Sequence, residues 1–171
     1  MRIPDAEFLT HYSRGEPFAS ITAAPHLIPT LTEATTWGLA RFADPDYLPR
    51  RLAVEARLRT AFIAAGGQPT FEHPAYAFLG RNPRWDQQRR PGMRAWIIAL
   101  DQVPSAALSF TVGDSLLTWD PSYARTRPAH PLAGRLFRLE DLPDVAPEEL
   151  EAQLWQRPPD SSLTSEDLPP R

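Results

Sequence analysis

The sequence predicts an α+β domain. N-terminal helices are expected to pack on one face of a small, mostly antiparallel sheet built from residues 75–139, followed by an acidic, proline-rich C-terminal tail. Three observations lead to this reading. Helix start and stop signals crowd the chain before residue 66. Beyond residue 75 the apolar residues fall in short runs with aromatic and β-branched content, the mark of buried strands. Proline is abundant, 20 of 171 residues against a usual ~5%, which enforces short elements and many fixed turns. The strand–helix alternation of a doubly wound sheet is missing, and so is a GxGxxG fingerprint.

Taken in order, Asp5 to Arg14 reads as a short helix closed by Gly15, and Phe18 to Thr22 as a possible strand inside a proline-rich loop. Thr30-Leu-Thr-Glu33 is a capping-box pattern that starts a helix with Leu31, Ala34, Trp37 and Phe42 on its apolar side. Asp46 can cap the next helix, which runs to about Ala65, where Gly66-Gly67 supplies the stop. Ala75 to Gly80 and Arg94 to Leu100 read as buried strands. Leu108 to Val112 and Ser115 to Trp119 read as a hairpin turned at Gly113-Asp114. Arg135 to Leu139 is a weaker strand. Pro147, Glu148 and Glu149 suit the first turn of a last helix ending near Trp155. The globular domain is expected to span 1–156. Residues 157–171, rich in proline and without an aromatic residue, read as a flexible tail.

Composition excludes several chemistries. The chain has no cysteine and no lysine; all 18 of its positive side chains are arginine. That removes disulfides, thiolate zinc sites, a cysteine nucleophile, a P-loop lysine and a Schiff-base lysine. His11, His26, His73 and His130 show no metal-ligand spacing, and no cofactor motif is present. The longest apolar run, Ala95 to Leu100, is far short of the ~18 residues of a membrane span. Asp5 and Glu7 near the start do not fit a signal peptide, so a soluble cytoplasmic chain is expected. The net charge of −3 hides a division: residues 140–171 carry nine acids against two arginines, leaving a basic body.

Two groups of residues carry the chemistry. On the helix at 46–65, Arg51, Glu55 and Arg59 recur one turn apart down the centre of an apolar arc made by Leu48, Leu52, Val54, Leu58, Phe62 and Ile63. Charges there must be paired if buried. Glu55 is thus a candidate acid/base or ligand-binding carboxylate between Arg51 and Arg59. His73, before Pro74 and near Tyr76, is the best-placed histidine for proton transfer near neutral pH.

The second group is the loop 81–94, in which Arg81, Arg84, Arg89, Arg90 and Arg94 face a single acid, Asp86. Arginine holds phosphate by bidentate hydrogen bonds, and Trp85 is suited to stacking on a base. Three functions follow as expectations. The first is a binding protein for a phosphate-bearing partner, nucleotide or nucleic acid, through this loop. The second is a small transferase or hydrolase acting on a nucleotide or phosphorylated substrate, with Glu55 or His73 as acid/base. The third is a protein-interaction module using residues 147–155 as an acidic helix with an exposed stripe of Leu150, Leu154 and Trp155.

Overall fold

The structure, a computed structural model, describes residues 7–20, 22–24, 44–87, 92–120, 122 and 130–167. Six strands make one sheet: β1 (Phe8–Ser13), β2 (Ala75–Leu79), β3 (Arg94–Ala99), β4 (Leu108–Val112), β5 (Leu150–Leu154) and β6 (Leu163–Asp167). Their order is β4-β5-β2-β1-β3-β6, and every neighbouring pair is antiparallel. Among the described residues three α-helices accompany it: α1 (Tyr47–Ala64), α2 (Pro83–Gln87) and α3 (Ser115–Trp119).

The α1 helix forms where the sequence places it. Gly66 ends it at φ 86°, a left-handed conformation that favours glycine. The Gly67 amide then reaches Phe62 O at 2.8 Å and the Gly66 amide reaches Ile63 O at 2.9 Å, a Schellman closure. A side chain on Gly67 would overlap the Phe62 ring. Asp46 occupies the N-cap position but makes no side-chain cap hydrogen bond.

Several expected elements are corrected. Residues 8–13 are strand, not helix. β1 pairs with β2 on one side and β3 on the other, and its inner residues are buried on both faces, as Phe-Leu-Thr-His-Tyr suits. The expected strand over Phe18 to Thr22 does not form at residues 18–20 or 22, and Phe18 itself has φ 53°. Ser115 to Trp119 is a helix rather than the second arm of a hairpin, because Asp114 turns back to accept the Leu116 amide at 2.9 Å and caps it. The expected strand at Arg135 to Leu139 contributes a single bridge, Phe137 to Phe110.

Pro147–Glu149 makes only one 3-10 turn, and the next five residues are β5, between β4 and β2. Residues 163–167, expected in a flexible tail, line the sheet edge as β6 against β3. The sheet is therefore not confined to 75–139. The helix expected from Thr30 lies outside the described residues.

Alternation along the strands gives the sheet two unlike faces. Leu9, Ala75, Ala77, Leu79, Ile98, Leu108, Phe110, Val112, Leu150, Ala152 and Leu154 share one apolar cluster, joined by Phe137 and Leu142. The opposite residues of β4 and β5 are Ser109, Thr111, Glu151 and Gln153. Trp155 follows them and packs with Val54, Leu58 and Phe62 of α1, its ring stacked on Phe62 at 5.7 Å. The α1 side thus combines an apolar contact with a polar sheet surface. Gln153 holds that surface together through Ser109, Thr111 and Glu151, while the Trp155 indole donates to Ser109. Among the described residues no helix is long and apolar enough to cross a membrane.

Candidate active site

Arg51 and Glu55 lie on the buried side of α1, 4% and 1% exposed. The sequence pattern suggests that the arginines pair with Glu55. In the structure the ridge separates into two sets of partners instead. Arg51 donates from Nη1 to Ser115 Oγ at 2.9 Å and from Nη2 to Asp114 Oδ1 at 3.3 Å, with its guanidinium 4.7 Å from the Tyr76 ring centre. Burial works against its charge, but Tyr76, Asp114, Tyr47 and Glu151 outweigh that, so the guanidinium stays protonated.

Glu55 looks the other way. Its Oε1 accepts from the Tyr76 hydroxyl at 2.9 Å and from Thr22 Oγ1 at 3.1 Å, and its Oε2 lies 2.8 Å from His73 Nδ1. Burial pushes the Glu55 carboxyl above its usual range against the opposing pull of Thr22, Tyr76, Arg51 and His73. Burial pushes the Tyr76 phenol up as well, so it remains a donor. His73 is the exposed member, with 23% of its side chain accessible. Its Nε2 has no hydrogen-bond partner among the described residues. A buried carboxylate fixed by two hydroxyls and holding one nitrogen of a solvent-facing imidazole is an arrangement for moving a proton.

Beneath Arg51, Glu151 accepts from the Ser115 amide at 3.1 Å and from Gln153 Nε2 at 3.3 Å. Burial pushes its carboxyl up to about 7, with Asp114 adding to the rise and Arg51 opposing it. A folded-state value above the ordinary 4.5 means that the native protein holds this proton more tightly than the unfolded chain. The resulting stabilisation is full below about pH 4.5 and is lost as pH rises through about 7. Glu151→Gln is expected to flatten that part of the stability–pH profile. At pH 8 it should be more stable than wild type by about 1–3 kcal/mol, and nearly equal at pH 5. Urea midpoints at the two pH values check this; parallel profiles would contradict it.

The remaining predicted residues make other contacts. Arg59, one turn beyond Glu55, donates from Nε to Phe71 O at 3.4 Å. Arg81 is held by Asp86 at 3.0 Å and by Glu166 of β6 at 2.8 Å. Trp85 stacks on Tyr12 at 5.6 Å and packs against Phe78, so its ring is used inside the fold. Arg94 lies over Trp96 at 5.4 Å. Arg84 is exposed on α2, and Arg89 and Arg90 lie outside the described residues. His73 precedes β2 and Arg81 follows it, while Arg94 opens β3 opposite Ser13 of β1, so the described loop arginines do not gather at one place beside the Glu55–His73 pair.

Leu150, Leu154 and Trp155, the stripe expected on a partner-binding helix, are all fully buried. Sequence reasoning missed Thr22 and Glu151 and read Asp114-Ser115 as a plain turn. The signal for the turn was Asp114 itself, a capping residue within reach of an unpaired helix arginine. Among the described residues no group of three or more acidic or histidine side chains is placed to hold a metal ion. No protein-family model matches the chain, no curated protein matches it, and no solved structure matches it.

Proposed function

We propose that this chain is a small acid–base enzyme, a hydrolase or transferase of phosphorylated or nucleotide substrates, in which His73 carries the proton at Nε2 and Glu55 holds the ring from Nδ1. The observation that supports this is the 2.8 Å contact between His73 Nδ1 and a Glu55 that is itself almost wholly buried. With Nδ1–H donated to Glu55 Oε2, the Nε2 lone pair is left facing solvent. When Nε2 takes a proton, the carboxylate beside Nδ1 balances the new charge. Tyr76 and Thr22 keep the carboxylate from turning, so the imidazole has a defined direction in which to accept and return the proton.

The test is turnover of p-nitrophenyl phosphate, bis-p-nitrophenyl phosphate and nucleoside mono-, di- and triphosphates by the purified chain. Hydrolysis is expected with at least one of them, and His73→Ala should lower it by about 10²–10⁴-fold. His130→Ala should leave it unchanged, since that ring is occupied in a surface turn by the Leu132 amide. A panel left wholly intact, or equal rates in His73→Ala, would overturn the reading.

A further inference from the structure

We propose that Arg59 and His73 together form a binding site for a phosphoryl group, with the Arg59 guanidinium as the residue that selects and holds it. This deepens the acid–base reading of His73 and rests on it. Arg59 stands four residues, a rise of about 6 Å, beyond Glu55 on the same ridge of α1. It is partly buried, unlike its exposed neighbours Arg57 and Thr60. Its Nε donates to Phe71 O, which ties the guanidinium to the segment leading into β2. His73 is two residues further along that segment and is tied to Glu55 through Nδ1. Two cation-forming side chains, one from the helix and one from the strand lead-in, are therefore held at the same short stretch of chain, Arg59 by Phe71 O and His73 by Glu55.

Both keep donors in reserve. The two Nη atoms of Arg59 have no hydrogen-bond or ion-pair partner among the described residues, and neither has His73 Nε2. With Nε already committed, the Nη atoms present a planar edge suited to two oxygens of one anion. The His73 imidazole, two residues along from the carbonyl that holds Arg59, can donate to a third oxygen when protonated. A phosphate monoester or inorganic phosphate has three such oxygens on one tetrahedral centre, whereas a carboxylate has two in one plane. Arg51 cannot serve, because Ser115 and Asp114 take its Nη atoms. Arg81 cannot either, because Asp86 and Glu166 hold it. Glu72, exposed beside His73, disfavours loosely held polyanions, so binding depends on directed hydrogen bonds more than on net charge.

The experiment is titration of inorganic phosphate into the full chain, followed by the ring resonances of His73 in NMR and by calorimetry, with acetate as the carboxylate arm. Phosphate is expected to shift the His73 resonances saturably, and acetate to do so at least about tenfold more weakly. Arg59→Gln should weaken phosphate binding about tenfold or more, the loss of a charged hydrogen-bond donor pair. Arg57→Gln should leave it unchanged. If Arg59→Gln folds poorly, Arg59→Lys, which keeps the charge and loses the planar edge, should still weaken phosphate more than acetate. Unchanged affinity in a folded Arg59 variant, or no effect of phosphate on His73, would overturn the proposal. The two claims fail separately. Phosphate binding that needs Arg59 in a chain whose turnover ignores His73 would sink the acid–base reading alone. Turnover that needs His73 without phosphate binding would sink this one alone.

Discussion

Arg51→Ala should cost about 3–5 kcal/mol of stability, more than any other truncation in the cluster. The guanidinium compensates Asp114 directly, lies over Tyr76, and lowers the energy of the Glu151 carboxylate beneath it. Removing it leaves two carboxylates close together under α1 with no cation, and leaves Ser115 Oγ without its donor. An apolar replacement such as Arg51→Met restores volume but not charge, so it should recover little. Because the stranded carboxylates can take up protons, the loss should be larger at pH 8 than at pH 5.5. Urea denaturation with an unchanged slope measures it. A cost under about 1 kcal/mol would mean that water already solvates the cluster.

Glu55→Ala should be the next most damaging, at about 2–4 kcal/mol, since it strands the Tyr76 hydroxyl and His73 Nδ1 together and leaves Thr22 only its bond to Ser20. Glu55→Gln separates the two roles of this residue. The amide oxygen can still accept from Tyr76 and Thr22, so the fold should survive with a loss of about 1–2 kcal/mol. The amide nitrogen, however, now faces His73 Nδ1 as a donor and forces the proton to Nε2. The ring then cannot accept a proton there, and turnover should fall by about 10²–10⁴-fold while thermal stability falls only modestly. Equal activity in Glu55→Gln would show that the carboxylate does not set the state of the ring. The sequence alone ranks Glu55→Ala as worse than Arg51→Ala, on the assumption that Glu55 is the shared partner of two arginines. The structure reverses the order because neither arginine bonds to it.

That reversal illustrates which parts of the molecule were legible in the sequence. Amphipathic spacing and the Gly66-Gly67 stop determine α1 almost alone, and the apolar runs at 75–79, 94–99 and 108–112 are strands for the reason the pattern suggests. One cause of failure is a local signal at an element's end read as its whole length. Pro147-Glu148-Glu149 is a valid helix opening, but it closes as a single turn. The residues after it alternate, with Leu150, Ala152 and Leu154 apolar and Glu151 and Gln153 polar. The period of two was present and was outweighed by the cap. β1 was missed because it is buried on both faces, so its outward residues Thr10 and Tyr12 are not strongly polar and no alternation stands out.

The site was half visible. Charges down the middle of an apolar arc pointed to Arg51 and Glu55, and His73 stood out by its position before a strand. Their partners come from 21 to 63 residues away along the chain, through Tyr76, Thr22 and Asp114. Only the pairing of the sheet, with β5 inserted beside β2, brings Glu151 beneath Arg51. No spacing rule carries that information. The arginine loop shows its charge in the sequence but not all of its partners: Asp86 is local, whereas Glu166, which also holds Arg81, comes from a strand absent from the sequence reading.

The central claim is that buried Glu55 fixes the His73 ring with its proton on Nδ1 and an open Nε2. Long-range nitrogen–proton NMR correlations of the imidazole read the tautomer directly. With the neutral ring, the account predicts a protonated Nδ1 and an unprotonated Nε2 in the wild type, and the opposite tautomer in Glu55→Gln. A wild-type ring protonated on Nε2, or one whose tautomer ignores the Glu55 substitution, would contradict it.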